Sequence, residues 1–283
     1  MAELMNWIDR MVRRNKKLPR WMWLRGLLRA PYHRFLGMTS AGLPLAIGGL
    51  MPVRVPVQFC ARELESYERE SVVAIHNWVS KNTGGVFVDV GCSFGYFSCA
   101  VLFADPTVEV IAVDADLPSL AVTRFVCSHA TGVETRLQLY RTLIGSDSDR
   151  NETMVAVRQL TTNQLSDPTL KVDPAATNYV NLDTKIDMAE LPRISLDRFL
   201  LASMQESRRP WLIKCEVEGA EQIVLEGARK VMRDFKPTLL LSIHPPYLPR
   251  FGGSPEQIRE LLTTHGYRID VIGIDHEEHW LCT

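Results

Sequence analysis

Residues 86–97 read VFVDVGCSFGYF, and this stretch decides the fold. Its first five residues are apolar except for Asp89, which predicts a short strand buried in a parallel sheet. The strand breaks at Gly91, and Gly95 opens a helix. Glycine allows positive φ angles and a close approach of a ligand, and the N-terminus of a helix carries a partial positive charge. The stretch therefore predicts a turn that directs free backbone N–H groups at a nucleotide-like ligand.

A second strand ends in another acid. Residues 108–116 read VEVIAVDAD, and Asp114 comes nineteen residues after Gly95. At about this distance from a glycine turn, a carboxylate binds the ribose hydroxyls of a dinucleotide or an adenosyl cofactor. Together with the turn, this spacing favours a ligand-binding role for Asp114 over an ordinary helix cap.

Strand-like and helix-like segments alternate along most of the chain. The first half gives a helix at 62–80, strands at 86–90, 108–114 and 134–144, and helices at 95–104 and 117–130. After a polar insertion at 145–192, the pattern gives helices at 195–204, 219–232 and 254–264 and strands at 211–217, 238–244, 267–273 and 278–282. This alternation predicts a Rossmann-like α/β fold with a seven-stranded, mostly parallel sheet and an antiparallel last strand. We expect the insertion to add a strand pair or two near the active-site edge.

The composition is that of a globular protein without an overall charge bias. The 283 residues are 46% hydrophobic and carry a net charge of −1, which does not indicate nucleic acid as a partner. Six cysteines form no CxxC pair, which favours reduced thiols in a cytoplasmic protein. The sequence shows no signal-peptide pattern and no apolar run long enough to span a bilayer.

The N-terminal segment 1–60 differs from the main domain at 61–283. Residues 1–35 contain nine basic and two acidic side chains, interspersed with tryptophans. One interpretation is an amphipathic helix in peripheral contact with an anionic membrane. The other is a helical extension packed on the main domain, with its basic residues in solvent, and we favour this second interpretation.

Polar residues also follow the later strands. Glu216 and Glu218 end the strand at 211–217, and His244 ends the next. The carboxyl ends of parallel strands meet at one edge of an open sheet, where ligands bind. We therefore expect these three side chains to line one cleft with the glycine turn. The string HEEH at 276–279 resembles a metal-ligand set, but we assign it to a polar hairpin turn.

Several segments resemble the FkbM-type S-adenosylmethionine-dependent methyltransferases. VFVDVGCSFGYFS (86–98) is similar to the family's D-V-G-A-N-x-G-x-x-S, and IKCEVEGAEQIVLEGA (213–228) to its I-K-x-D-V-E-G-x-E-x-x-V-L-x-G-A. RTLIGSD (141–147), RISLDRFL (193–200) and LLLSIHPP (239–246) resemble three shorter family segments. The chain departs from the pattern at Ser93, Glu216 and Ser242, where the family usually has Asn, Asp and Glu.

The resemblance implies a class I methyltransferase fold and the cofactor S-adenosyl-L-methionine. It implies that the turn holds the methionine part, with Asp89 near the ammonium, that Asp114 holds the ribose, and that the segment from Ile144 to Ser146 frames the adenine. The cofactor-binding residues that it implies are Asp89, Gly91, Ser93, Gly95, Tyr96, Phe97, Asp114, Ile144 and Ser146.

The resemblance also implies O-methylation of a sugar, glycolipid or polyketide-like small molecule. A neutral hydroxyl must lose its proton to attack, so we expect Glu216, Glu218 and His244 to surround it and one of them to act as the base. Alternatively, Glu216 and Glu218 hold a divalent cation such as Mg²⁺ that lowers the pKa of the hydroxyl. Two other functions stay open: a nicotinamide-dependent oxidoreductase, although its G-x-G-x-x-G spacing is missing, and a degenerate, non-catalytic nucleotide-binding module.

Overall fold

The computed structural model of the protein describes residues 43–56, 67–146, 159–165 and 191–283. The strands of this part are β1 (Leu43–Ile47), β2 (Met51–Val55), β3 (Val86–Val90), β4 (Glu109–Asp114), β5 (Leu137–Arg141), β6 (Leu143–Gly145), β7 (Arg193–Ser195), β8 (Trp211–Cys215), β9 (Thr238–Ile243), β10 (Ile269–Ile274) and β11 (Glu278–Cys282). The helices are α1 (Arg69–Lys81), α2 (Tyr96–Ala104), α3 (Leu117–Val126), α4 (Val133–Arg136), α5 (Thr162–Leu165), α6 (Leu196–Glu206), α7 (Glu221–Glu226), α8 (Arg229–Asp234) and α9 (Pro255–Thr264).

A seven-stranded sheet forms the centre of the fold, in the order β10-β11-β9-β8-β3-β4-β5. Strands β5, β4, β3, β8 and β9 are parallel, whereas β11 pairs antiparallel with β9 and β10. The Rossmann-like, mostly parallel sheet with an antiparallel last strand is therefore confirmed. Because β3 lies between β4 and β8, the chain reverses its direction across the sheet there, and open sheets bind ligands beyond the carboxyl ends of the strands at such a point.

Helices cover both faces of this sheet, which explains why its central strands are apolar throughout. Every residue of β3 and β8 is buried. One face packs against α1, α2 and α3, with Val72, Phe97 and Leu120 in its core. The other face packs against α6 to α9. Parallel strands buried in this way hold the residues at their carboxyl ends in fixed positions.

Residues 43–55 form an antiparallel β-hairpin, so the prediction of a helical extension is wrong for this part of the chain. Gly48 and Gly49 have φ angles of 58° and 68° in the tight turn, a conformation that glycine adopts without strain. The inward-facing side chains of the hairpin join the core of the main domain. Residues 1–35, on which the membrane hypothesis rests, lie outside the described residues.

Two predicted elements are interrupted in the structure. The predicted strand at 134–144 begins as the helical turn α4, where Arg136 donates hydrogen bonds to the backbone carbonyls of Leu102, Asp105 and Val108. The predicted helix at 219–232 divides into α7 and α8, because Asp197 accepts hydrogen bonds from the backbone N–H groups of Lys230 and Val231. Asp197 thereby caps α8 and separates it from α7.

The predicted helix starts at Ser195 and Ser254 are confirmed, since each side chain accepts a hydrogen bond from the first turn of its helix. The insertion is described only in part. Strands β6 and β7 pair at its two ends, while residues 147–158 and 166–190 lie outside the described residues. Within the described part, no helix is long and apolar enough to cross a membrane, and the five described cysteines are free and buried.

Candidate active site

The backbone N–H groups of the turn after β3 donate hydrogen bonds to acceptors within the protein. The backbone N–H groups of Gly91 and Cys92 donate to the carbonyl oxygen of Val113, at 2.9 and 3.2 Å. The N–H of Ser93 donates to Oδ2 of Asp114 at 2.9 Å. The expectation of free N–H groups directed at a ligand is therefore wrong for these three residues, and the turn is bound to the end of β4 instead.

Asp114 lies beside this turn. Its carboxylate accepts hydrogen bonds from the backbone N–H groups of Ser93 and Asp116, both at 2.9 Å. Burial raises the pKa of Asp114 to about 6, although these two N–H groups oppose the shift. The side chain is partly exposed, and each carboxylate oxygen has two lone pairs. Asp114 therefore retains acceptor capacity for a hydroxyl-bearing ligand.

Three residues other than glycine have positive φ angles near this edge of the sheet: Glu68 at 39°, Ser93 at 49° and Glu218 at 53°. Such conformations are strained for residues with a Cβ atom and persist where the surrounding structure imposes them. Asparagine tolerates this region better than serine, which gives a physical reason for the asparagine of the FkbM pattern at the position of Ser93.

Gly91 is required by a contact within the protein. Its φ angle is 79°, and a Cβ atom added to it would lie 1.9 Å from the carbonyl oxygen of Glu216. The turn after β3 thus packs directly against the end of β8. This contact brings the glycine turn and the acids after β8 together, as the strand order predicts.

Asp89 lies beneath the turn rather than in the open cleft. It is buried, its Oδ2 accepts a hydrogen bond of 2.6 Å from the Ser98 hydroxyl, and it pairs in register with Lys214 on β8. Its Oδ1 has no hydrogen-bond partner among the described residues. Tyr96 and Phe97 are also buried, and the Tyr96 hydroxyl donates to the carbonyl of Tyr67 at 2.8 Å.

Lys214 is a buried cation at the centre of the site. Its ammonium binds the carboxylate of Glu216 and lies 4.5 Å from the centroid of the Phe97 ring. Burial disfavours the charged form, but the carboxylates of Glu216, Glu68 and Asp89 outweigh it and raise the pKa of Lys214. Lys214 was not among the predicted site residues, although its place in the I-K-x-[DE] string was a signal for it.

Ile144 and Ser146 lie beyond Asp114. The N–H of Thr142 donates to the carbonyl oxygen of Asp114 at 3.2 Å, so β6 starts beside the end of β4. Ile144 is partly buried in β6, and Ser146 is the last described residue before the gap at 147–158. The structure thus brings both residues to the carboxyl edge of the sheet.

Glu221 organises the second half of the cleft. Its Oε1 accepts hydrogen bonds from the backbone N–H groups of Val217 (3.3 Å) and Gly219 (3.0 Å) and lies 2.9 Å from Nδ1 of His244. Glu221 therefore fixes the turn that carries Glu218. Glu221 was not among the predicted site residues, although it is the last acid of the V-E-G-x-E string.

Both ring nitrogens of His244 face carboxylates. Nδ1 lies 2.9 Å from Glu221, and Nε2 lies 2.7 Å from Oε2 of Glu277 and 3.7 Å from Oε2 of Glu218. Burial disfavours the charged imidazole, but Glu221 and Glu277 raise the pKa of His244 to about 10. At neutral pH, His244 is therefore an imidazolium ion with no free lone pair.

The two acids after β8 lie in different environments. Burial opposes ionisation of Glu216, but Lys214 outweighs it and lowers the pKa of Glu216. The side chain of Glu218 is 52% exposed, and partial burial raises its pKa. Glu218 is thus the more accessible and the more basic of the two carboxylates.

The string at 276–279 lies at the turn of the β10–β11 hairpin, as predicted, but it is not exposed throughout. Glu277 and His279 are buried, whereas His276 is exposed. In the described part of the chain, two groups of three side chains have the spacing of metal ligands, and neither contains Glu216 or Glu218. The structure therefore gives no support to a divalent cation on that pair of acids.

A family model described as the methyltransferase FkbM domain matches residues 89–269, which is more than half of the chain. No curated protein sequence matches the chain.

Solved structures of methyltransferases are similar at low identity. The FkbM methyltransferase from Methylobacillus flagellatus KT is 13% identical with a TM-score of 0.46, and the match covers 80% of this chain and 56% of that one. Precorrin-6y C5,15-methyltransferase from Geobacter metallireducens GS-15 is 10% identical with a TM-score of 0.41, and the match covers 80% and 94% of the two chains. The chain thus spans little more than half the length of the first of these proteins.

Proposed function

The chain belongs to the FkbM methyltransferase family, and on that premise we propose that it transfers a methyl group from S-adenosyl-L-methionine to a hydroxyl of a sugar, glycolipid or polyketide-like small molecule. The observation that carries this proposal is the position of Glu218. This half-exposed carboxylate extends from a turn that the buried Glu221 fixes. The neighbouring Glu216 is in contact with the glycine turn at Gly91.

The residues around the glycine turn fit an adenosyl cofactor. Asp114 offers a carboxylate of fixed orientation to the ribose hydroxyls, and Ile144 and Ser146 follow it toward the adenine. Asp89 has a buried oxygen without a hydrogen-bond donor, which suits a cationic group nearby. When bound, S-adenosylmethionine supplies an electrophilic methyl group on a positively charged sulfur. Gly91, Ser93, Gly95, Tyr96 and Phe97 shape and support the turn in this proposal.

We assign the base to Glu218. Its pKa is raised, so the carboxylate accepts a proton more readily than an ordinary glutamate does. Glu216 is neutralised by Lys214, and His244 already carries its proton. Glu216 and His244 are therefore positioning residues, which hold the turn and set the electrostatic potential at Glu218. In this assignment, Glu218 orients the acceptor hydroxyl and takes up its proton during methyl transfer.

Substitution of Glu218 tests the assignment. Methyl-tritiated cofactor is supplied with a panel of sugars, glycolipids and hydroxylated polyketides, and transfer is compared in wild type and Glu218→Gln. We expect kcat to fall by about 10²–10⁴-fold, while the affinity for S-adenosylhomocysteine changes less than threefold. Glu256→Gln, an exposed substitution in α9, serves as the matched control. Unchanged kcat in Glu218→Gln would refute the role of Glu218. Wild-type protein that binds the cofactor product but methylates no member of the panel would favour a non-catalytic binding module.

A further inference from the structure

A buried cluster of Glu68, Glu277 and His279 lies beside the residues assigned to the transfer and contacts them through Glu277 and His244. One ligand atom from each residue lies within 4.8 Å of the other two. Oε2 of Glu68 is 3.7 Å from Nδ1 of His279, and Oε1 of Glu277 is 3.8 Å from Nε2. All three side chains are at most 2% exposed. Glu68 precedes α1, whereas Glu277 and His279 belong to the β10–β11 hairpin, so the cluster joins segments that are distant in sequence.

The carboxylates of this cluster are only partly paired. Both oxygens of Glu68 and Oε1 of Glu277 have no hydrogen-bond partner within the described ranges, whereas Oε2 of Glu277 lies 2.7 Å from Nε2 of His244. A buried carboxylate is costly unless it is paired, hydrogen-bonded or bound to a metal. The ammonium of Lys214 binds Glu216, and the imidazolium of His244 lies between Glu277 and Glu221. Three buried carboxylate oxygens of the cluster are therefore left for a ligand of positive charge.

The ring of His279 is held in place by polar neighbours at both of its nitrogens. The hydroxyls of Ser71 and Ser242 lie 3.3 and 3.5 Å from its Nδ1, and Oδ2 of Asp275 lies 3.4 Å from its Nε2. Such neighbours around a histidine fix the ring and its tautomer in metal sites. Two flexible glutamates and one fixed imidazole can contract around an ion, since ligand atoms at 2.0–2.2 Å from a metal lie about 3–3.5 Å apart.

We propose that Glu68, Glu277 and His279 bind one divalent transition-metal ion, Zn²⁺ or Mn²⁺, which links α1 to the β10–β11 hairpin. The imidazole favours a transition metal over Mg²⁺, which prefers oxygen ligands alone. The ion offsets the charge of the two glutamates. The second candidate group in the described part, Asp275, His276 and Glu277, shares Glu277 but is mostly exposed, and exposed acids of this kind need no ion. The site does not depend on methyl transfer.

Direct metal binding tests this proposal. The full-length protein is treated with a chelator, dialysed against ZnCl₂ or MnCl₂ without cofactor or acceptor, and its metal content is measured by mass spectrometry. We expect one equivalent of metal at micromolar or tighter affinity and a higher melting temperature in its presence. Glu277→Gln and His279→Ala should bind at least tenfold more weakly, whereas His276→Ala, in the same hairpin, should bind as the wild type does.

Glu68→Gln keeps the test decisive if a hairpin variant fails to fold, because it alters the third ligand from a different element. Weaker binding in Glu68→Gln and full binding in His276→Ala support the site. Wild-type protein that binds neither ion at 100-fold molar excess overturns the proposal. So does binding that Glu68→Gln and His279→Ala leave unchanged, or binding that only His276→Ala abolishes.

Discussion

The two halves of the cleft meet at the contact between Gly91 and Glu216 and are built differently. In the turn region, which consists of residues 91–95 and 114–116, polar groups form hydrogen bonds with one another. The bond from the Ser93 N–H to the Asp114 carboxylate is an example. The acid region consists of Glu68, Lys214, Glu216, Glu218, Glu221, His244, Glu277 and His279. There, carboxylates outnumber cations, and oxygens of Glu68, Glu221 and Glu277 lack hydrogen-bond partners among the described residues.

Because of this difference, we expect substitutions in the two regions to affect different properties, ligand affinity in one and stability of the fold in the other. In the turn region, the protein has already ordered the backbone, so substitutions there should change ligand affinity more than stability. In the acid region, each charge depends on a buried partner, so a substitution or a change of pH should alter the stability of the whole fold.

Lys214→Met should have the largest effect on stability. It removes the cation that Glu216, Glu68 and Asp89 surround and leaves these carboxylates uncompensated. Loss of one partner from a buried ion pair costs about 3–5 kcal/mol, measured as the free energy of unfolding in urea. Lys230→Met, at an exposed position of α8, should change it by less than about 0.5 kcal/mol. Equal changes in the free energy of unfolding for the two substitutions would contradict the dependence of the acid region on its buried charges.

Stability should fall as the pH rises from 6.5 to 9. The pKa of His244 is raised from 6.5 to about 10 by Glu221 and Glu277 against the effect of burial, and that of Glu68 is raised from 4.5 to about 8, mainly by burial. In both cases the folded state binds the proton more tightly than the unfolded chain does. The resulting stabilisation is complete below pH 6.5 for His244 and below pH 4.5 for Glu68. It is lost as the pH passes about 10 and about 8, respectively.

One proton contributes at most about 1.4 kcal/mol per pH unit, and both groups contribute over these pH units, so we expect a loss of about 3–5 kcal/mol over this range. The free energy of unfolding in urea, determined at each pH, measures this loss of stability. His244→Gln should reduce the slope, because its side chain does not titrate. A free energy of unfolding that is constant or rises between pH 6.5 and 9 would show that proton binding by His244 and Glu68 does not stabilise the fold.

Ser93→Gly should stabilise the protein by about 0.5–1 kcal/mol, the smallest effect of the series. Glycine removes the strain of a φ angle of 49°, although it also increases the freedom of the unfolded chain. Ser93→Ala keeps the Cβ atom and should give no gain. Thermal unfolding compares the three proteins. A glycine variant less stable than wild type would mean that the serine side chain itself supports the turn region.

The sequence predicted the fold well because burial on both faces leaves a strong pattern. The apolar runs of β3, β4, β8 and β9 predict a parallel sheet, and the short connection before β11 predicts its reversal. The hairpin at 43–55 was missed, because Pro44, Pro52 and the glycines of its turn masked the alternation of buried and exposed residues in β2.

The site was predicted less completely, because partners that are distant in sequence decide its chemistry. Strand ends identified Asp114, Glu216, Glu218 and His244 as neighbours of one sheet edge. Whether a histidine acts as a base or a cation depends on its contacts, and His244 is bound by Glu277 from a hairpin at the far end of the chain. Glu68, which precedes a helix, gave no sequence signal.

The central claim is that the turn region binds an adenosyl cofactor, and calorimetry with S-adenosylhomocysteine tests it most directly. Wild-type protein should bind with a micromolar dissociation constant. Asp114→Asn should bind at least tenfold more weakly, a loss of about 1.4 kcal/mol or more, with an unchanged circular dichroism spectrum. Absence of binding to the wild type, or equal affinity in Asp114→Asn, would contradict the account.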